Sequence, residues 1–346
     1  MSNRDELFMN RCFDLALPGG KNVRPNPLVG AVLVNENKII GEGFHKQFGG
    51  PHAEVEALKS VTQENRPLIK DSTLYVSLEP CNYHGKTPAC STLILENEIK
   101  RLVVSALDPN PKVSGSSLNF LESKGVNVKR NVLKEQGEEL IKVFSKNITK
   151  SKPYVILKFA ESKDNYIGKP GQRVKLSNAY SDVFVHKLRA EANGIMIGTN
   201  TALSDNPELT TRLIEGENPV RIILDRNLII PSSFNVFNDE TRTIIINEQK
   251  DEVQNNLNFK RMDFESQGFI SDLLLSLYEE KIYVLIVEGG AKLINSFLQA
   301  GEWDEAIVIS ATVMLNSGIK TPFFSGYRYN TLDAGDDVIS FVKRIP

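Results

Sequence analysis

His52-Ala53-Glu54, followed by Pro80-Cys81 and then Cys90, is the feature that most limits what this chain can fold into. One imidazole and two thiols are the donor set of a catalytic zinc site, which keeps three protein ligands and a fourth position for water. Glu54 supplies a carboxylate able to carry a proton between that water and a leaving amine. The combination is that of zinc-dependent deaminases, whose signature H-x-E…P-C-x-x-C has a wider gap between the cysteines here, with Cys81 and Cys90 separated by eight residues. The flanking sequence sets where each residue must sit. Cys81 follows the strand pattern Thr73–Leu78 and Pro80, which stops the strand. Cys90 precedes the apolar run Leu93-Ile94-Leu95 and opens a helix, and His52 opens another, expected over His52–Ser60. In an ideal helix His52 and Glu54 point about 200° apart, so Glu54 is expected to reach the site from the side and not as a fourth ligand. Two helix starts and a strand end must converge, as they do at the carboxyl edge of a layered α/β sheet.

Composition adds exclusions. Three cysteines in 346 residues, two of them in the constellation and Cys12 within an apolar helix pattern, do not make a disulfide framework. A net charge of −2 and 8% aromatic content, with no long basic stretch, argue against a nucleic-acid partner. The N-terminal segment has no apolar signal core and no run approaches membrane-spanning length. The expectation is a cytoplasmic enzyme of a small molecule, with neither a membrane nor a nucleic acid as partner.

The length accommodates two domains, and the pattern divides near residue 150. Residues 1–149 alternate: a helix over 5–17, a strand pair over 28–34 and 38–43, the His52 helix, the Thr73 strand and the Cys90 helix. A strand over 101–107, a helix over 116–123, a strand over 126–128 and a polar helix over 135–147 follow. This predicts a three-layer α/β domain with a mostly parallel sheet. After the joint Lys150-Ser151-Lys152-Pro153, residues 150–346 read as a second α/β domain. Its strands are expected over 154–160, 194–198, 220–224, 243–246, 282–287 and 305–310, where the recognisable alternation ends. Its helices are expected over 179–191, with Val183, Val185 and Leu188 as apolar positions, over 271–280 and over 291–300.

The second half carries weaker chemical signals. Glu288-Gly289-Gly290 lies between a strand and a helix, so free backbone N–H groups there could seat a phosphate, or the glycines could simply turn the chain. It is not the G-x-G-x-x-G fingerprint. Thr199-Asn200-Thr201 and Ser204-Asp205-Asn206-Pro207, ending at Arg212, form a polar loop that could bind or merely turn. His186 carries no assigned role and reads as structural or exposed.

At this point the residues resemble a known family. Pro25-Asn26-Pro27-Leu28-Val29-Gly30, Gly41-Glu42-Gly43-Phe44-His45, His52-Ala53-Glu54, Glu79-Pro80-Cys81 through Gly85-Lys86-Thr87-Pro88 to Cys90, and Asp108-Pro109-Asn110-Pro111 match the RibD family of riboflavin-biosynthesis deaminase–reductases. In the second half Leu157-Lys158, Leu188-Arg189-Ala190, Gly198 with Thr201, Ser204 to Pro207, Leu209-Thr210, Arg212 and Glu288 to Gly290 match it in order. The eight-residue gap between the cysteines is typical of that family. The resemblance implies a cytidine-deaminase-like three-layer α/β/α domain followed by a dihydrofolate-reductase-like α/β domain. It implies zinc on His52, Cys81 and Cys90, Glu54 as the proton carrier, and Asn26, His45 and Lys86 on a pyrimidine ribosyl phosphate. In the reductase half it implies Arg173, Arg189, Leu209, Arg212 and Glu288 on the substrate. Ala160, Lys175, Thr201, Asp205, Gly289 and Gly290 fall at positions for NADPH. Homo-oligomers are implied by analogy.

The chain departs from the family pattern at several places. Ser162-Lys163-Asp164-Asn165 stands where Ser-Leu-Asp-Gly is usual; Arg173 replaces a serine and Lys175 a tryptophan. Tyr83, with His84 beside it, replaces a histidine, and Gly115-Ser116-Ser117 replaces Gly-x-Gly. The readings to be separated are a bifunctional deaminase–reductase, a deaminase with a degenerate second domain, and, much further off, a nucleic-acid base deaminase.

Overall fold

The central strands of the N-terminal half, residues 30–35, 73–78 and 101–106, are buried on both faces, and helices cover both. They belong to a computed structural model that describes residues 3–82 and 89–345 and divides into two units, Met1–Lys150 and Ser151–Pro346. The first unit runs α1 (Asn3–Ala16), β1 (Gly30–Asn35), β2 (Lys38–Phe44), α2 (Ala53–Ser60), β3 (Thr73–Leu78), α3 (Cys90–Glu96), β4 (Arg101–Ala106), α4 (Ser116–Ser123), β5 (Asn127–Lys129), α5 (Lys134–Leu140) and α6 (Lys142–Lys150). Its sheet has the order β2-β1-β3-β4-β5. Leu33, Leu74 and Leu102 face α2, α3 and α4 in one cluster, while Val32, Tyr75 and Val103 face α1 in another. That is the period-two alternation of a sheet buried on both sides.

Two expectations need correction here. The sheet is mixed and not mostly parallel: β1 pairs antiparallel with both β2 and β3, and only β3, β4 and β5 run parallel. The reason is the tight turn at Glu36 and Asn37, both at positive φ, which joins β1 to β2 without a crossover helix. The polar helix expected over 135–147 is two helices, α5 and α6, interrupted where Ile141 is drawn into a cluster with Leu78 and Ala106.

The second unit runs β6 (Tyr154–Glu161), β7 (Tyr166–Gly168), α7 (Ala179–Glu191), β8 (Gly194–Gly198), α8 (Thr199–Asp205), β9 (Val220–Leu224), β10 (Thr243–Asn247), β11 (Glu252–Gln254) and β12 (Leu257–Arg261). It continues with α9 (Phe269–Glu279), β13 (Val284–Glu288), α10 (Ala291–Ala300), β14 (Glu305–Ser310), β15 (Ile319–Lys320), β16 (Gly326–Ala334) and β17 (Asp337–Arg344). Ten strands form one sheet, β11-β12-β10-β9-β8-β13-β6-β14-β17-β16, whose stretch from β12 to β14 is parallel. The late strand β13 is inserted between β8 and β6, and such a switch in strand order opens a crevice at the carboxyl ends.

Here too the structure departs from the expectations. Alternation does not end at Ser310, because β16 and β17 extend the sheet as an antiparallel hairpin whose first strand is largely exposed and so shows no buried periodicity. Thr199–Asp205 is a helical turn and not a loop. Val183 on α7 is exposed, whereas Val185 and His186 are buried. No helix among the described residues is long and apolar enough to cross a membrane.

Candidate active site

In the first unit the three candidate metal ligands converge as their flanking elements require. Cys81 follows β3, Cys90 is the first residue of α3, and His52 caps α2. The His52 Nδ1 lies 3.3 Å from Cys90 Sγ and 3.6 Å from Cys81 Sγ, and the three donor atoms all lie within 4.8 Å of one another. Zn–S bonds of about 2.3 Å and Zn–N bonds of about 2.0–2.1 Å at tetrahedral angles place N and S about 3.5 Å apart, so the cluster has the size of a zinc site. The backbone supports it. Cys90 N–H donates to Cys81 Sγ at 3.3 Å, Ser91 N–H to the Cys81 carbonyl at 3.1 Å, and Ser91 Oγ to Asn82 Oδ1 at 2.7 Å.

His52 is not helical but extended, at φ −73° and ψ 163°, so the angular separation of an ideal helix does not apply to it and Glu54. Glu54 is buried in the first turn of α2 and interacts with the thiol of Cys90. Burial pushes its carboxyl up, with the Cys81 thiolate adding to the rise and His52 opposing it. The Cys81 thiol is held down to about 4, chiefly because Cys90 donates to it and His52 stands beside it. Cys90, which keeps the proton of the pair, is pushed up, and His52 is raised by its hydrogen bond to Cys81.

Asn26 and His45 lie together: Asn26 Nδ2 is 3.0 Å from His45 Nε2, and His45 Nδ1 is 2.9 Å from the Pro51 carbonyl. Nδ1–H donating to that carbonyl leaves Nε2 to accept from Asn26, and burial lowers the His45 pKa. Its ring packs edge-on against His52 with centroids 5.6 Å apart. The α2 helix that carries His52 and Glu54 is seated by two glycines of β2. A Cβ on Gly43 would stand 2.4 Å from Ala57 N, and one on Gly41 2.5 Å from the Ala57 carbonyl oxygen. Lys86, with Tyr83 and His84, lies outside the described residues. Glu79 was not singled out from the sequence. Its buried carboxylate accepts from the N–H groups of Asp108, Gly115 and Ser117 and from Ser117 Oγ, tying the Asp108 loop and the start of α4 to the segment before Cys81.

In the second unit the expected residues gather at the carboxyl ends of β6, β8 and β13. Arg189 of α7 forks onto Glu288, with Nε 3.2 Å from Oε1 and a terminal nitrogen 2.9 Å from Oε2, and also donates to the Thr210 carbonyl at 3.3 Å. Lys158, the register partner of Glu288 on β6, adds an ion pair at 3.8 Å. Burial by itself would raise the Glu288 carboxyl, but Arg189 and Lys158 outweigh it and hold it at about 2. Burial pushes Lys158 down against the pull of Glu288. Thr201 Oγ1 accepts from Gly290 N–H at 3.1 Å, linking the first turn of α8 to the cap of α10, with Gly289 just before it.

Arg212 is half exposed and pairs with Glu208 at 3.2 Å. Its N–H donates to Nδ1 of His186, which is buried and is kept near 4 by burial and by the neighbouring Arg189 and Arg212. His186 is therefore a structural acceptor. Leu209 points into the apolar cluster of Ile195, Ile197, Ala202, Ile223, Ile230 and Val236, so only its backbone faces outward. It also sits at φ +57°. That conformation costs a leucine roughly 1–3 kcal/mol, close to the roughly 1.5–3 kcal/mol that burying the side chain returns. The loop therefore depends on its hydrogen bonds to keep this shape.

Other expected residues are not drawn into these networks. Ala160 packs beside Leu176, Ala311 and Leu315, and Asp205 accepts from Ser204 next to it. Arg173 and Lys175 are exposed, and the Lys175 ammonium pairs with Asp182 of α7 at 2.8 Å. Sequence reasoning missed Arg221 as well as Glu79, and gave Lys158 and His186 no role. A charge inside a buried strand, as in Val220-Arg221-Ile222-Ile223-Leu224, was the available signal.

Residues 153–333 match the RibD C-terminal domain and residues 2–106 the cytidine and deoxycytidylate deaminase zinc-binding region. The riboflavin biosynthesis protein RibD of Aquifex aeolicus is 38% identical over 91% of this chain and 89% of its own length. That of Bacillus amyloliquefaciens is 35% identical over 95% and 90%. A solved structure from Thermotoga maritima, a diaminohydroxyphosphoribosylaminopyrimidine deaminase/5-amino-6-(5-phosphoribosylamino)uracil reductase, superposes with a TM-score of 0.90 at 34% identity, covering 99% of each chain.

Proposed function

The chain belongs to the RibD family of bifunctional riboflavin biosynthesis proteins, and from that premise we propose which of its residues perform the two reactions and on what substrate. The first unit removes the 2-amino group of 2,5-diamino-6-(5-phosphoribosylamino)pyrimidin-4(3H)-one as ammonia, with water as the nucleophile. The second reduces the ribosyl side chain of that product to ribityl with NADPH. His52 Nδ1, Cys81 Sγ and Cys90 Sγ hold zinc, whose Lewis acidity makes water a nucleophile near neutral pH. Glu54 takes the proton of the attacking water and hands it to the departing amino nitrogen. Asn26, His45 and Lys86 hold the pyrimidine and its phosphate, with the His45 ring oriented by its hydrogen bond to the Pro51 carbonyl.

In the second unit NADPH supplies the hydride. Thr201, Asp205, Ala160, Lys175 and the Gly289-Gly290 turn hold it. Glu288 and Arg189, locked to each other, line the substrate side together with Arg173 and the backbone at Leu209. Because Arg189 already spends its fork on Glu288, the half-exposed Arg212 is the better ligand for the sugar phosphate. The protein works as a cytoplasmic homo-oligomer.

The observation that carries the reading is the zinc-sized triangle of His52, Cys81 and Cys90 with buried Glu54 against it. A coupled assay on purified protein, following ammonia release and NADPH absorbance separately, tests both reactions. Both signals are expected. Ammonia without NADPH oxidation would overturn the reductase assignment, and no ammonia from zinc-loaded protein would overturn the deaminase assignment.

A further inference from the structure

Arg221 is fully buried in the second unit, on the parallel strand β9, between apolar neighbours that face the two cores. Stability alone gives little reason for it. A buried charge replaced by a well-packed apolar side chain is often neutral or stabilising, and Ile222 and Ile223 show that the strand accepts such residues. Its partners explain it better. Nε donates to the Glu208 carbonyl at 2.8 Å, and a terminal nitrogen donates to Asn238 Oδ1 at 2.8 Å and to the Asn238 carbonyl at 3.3 Å. The other terminal nitrogen pairs with Glu240 at 3.5 Å.

The Glu208 carbonyl belongs to the peptide plane that sets φ of Leu209, the residue held in the left-handed region. Glu208 in turn grips the Arg212 guanidinium through its own side chain. The rest of the loop is tied down separately, at Asn206 by Asn235, at Thr210 by Arg189, at Thr211 by Asn218 and at Arg212 by His186. Arg221, by contrast, donates to the carbonyl of the strained peptide itself. The planar guanidinium can meet carbonyls of two segments at once, where a lysine would offer a single point of contact.

We propose that Arg221 is a positioning residue of the reductase site: by fixing the Glu208–Leu209 peptide it sets the loop that presents Arg212 to the substrate phosphate. The inference rests on the second unit being the reductase. It is tested with Arg221→Met and Arg221→Lys in the full chain, measuring reductase kinetics against each substrate and ammonia release from the same samples. Arg221→Met should raise KM for the pyrimidine substrate by about tenfold or more, with KM for NADPH within about twofold and deaminase kcat/KM unchanged. Arg221→Lys should fall between it and the parent. A purely structural role would instead lower kcat in step with the folded fraction, read by Trp303 fluorescence, and leave both KM values alone; that result overturns the proposal. Should Arg221→Met fail to fold, an Arg221→Lys protein with the parent's KM for the pyrimidine overturns it equally. A parent protein that oxidises no NADPH would instead refute the reductase reading on which the proposal stands.

Discussion

Glu288→Gln is the substitution whose cost follows most directly from the structure. Glu288 ends β13, accepts both arms of the Arg189 fork and lies 3.8 Å from Lys158, and all three side chains are at most 14% exposed. Its carboxyl is held at about 2 against an ordinary 4.5. A depression of that size is worth about 3 kcal/mol. Because the folded-state pKa is depressed, this contribution is fully present above about pH 4.5 and is lost as the pH falls toward 2. Glutamine keeps the volume but leaves Arg189 and Lys158 without a counter-charge, and removing one partner of a buried pair costs roughly 3–5 kcal/mol. The two routes agree. Trp303, the chain's single tryptophan, is buried in the core of the second unit beside Phe324, so its fluorescence in urea reports that unit. Glu288→Gln should lower the urea midpoint at unchanged slope, corresponding to a stability loss of about 3 kcal/mol at neutral pH. The gap between parent and variant should shrink by about half between pH 5 and pH 3. A neutral-pH loss under about 1 kcal/mol, or a gap that ignores pH, would refute the electrostatic account.

Three further outcomes follow from the geometry. Cys90→Ser should drop bound zinc, by elemental analysis, from about one per chain toward none and abolish ammonia release, while the Trp303 unfolding curve stays in place. Gly43→Ala drives a methyl to 2.4 Å from Ala57 N and so lifts α2 with His52 and Glu54. It should cost roughly 1–3 kcal/mol, seen as deaminase activity lost at a lower inactivation temperature than the reductase activity. Asn165, at φ +63°, should accept glycine within a few tenths of a kcal/mol, whereas Asn165→Ala should cost about 1 kcal/mol in the urea assay.

The elements that were legible in advance are those with punctuated ends. The α7 boundaries coincide with the sequence reading because Asn178 caps it, its Oδ1 accepting from Tyr180 and Ser181, and α10 coincides because Gly290 and Gly301 bracket it. Strand β16 was invisible because strand periodicity appears only where one face is buried, whereas β17 does bury Ile339 and Val342 against exposed Val338. α8 was hidden by Thr, Ser, Asn and Asp, which suit turns as well as a short helix. The candidate metal ligands His52, Cys81 and Cys90 announced themselves because soft ligands are rare in this chain. The Arg189–Glu288 pair, 99 residues apart, could be reached only through the family resemblance, since no local pattern encodes a contact made by strand order.

The departures from the family pattern in the second unit have to be weighed by what replaces them, and here the structure supplies compensations. Asn165 takes the left-handed position that a glycine would fill, and Asp164 beside it accepts from Leu315 and Asn316 N–H and from Ser162 Oγ, so the turn keeps its form. Lys175 brings a charge where an aromatic ring is usual, but its ammonium is held by Asp182, which also accepts from Ser177. The charge is thereby neutralised at the first turn of α7, and an aliphatic stem is left to lie along the surface. A degenerate domain would be expected to lose such buried polar groups, because the set as a whole can be replaced by well-packed apolar side chains at little cost in stability. Lys158, Arg189 and Glu288 are instead all present and paired with one another, and Arg221 is present with its own set of hydrogen bonds. That retention is the physical argument for a working reductase.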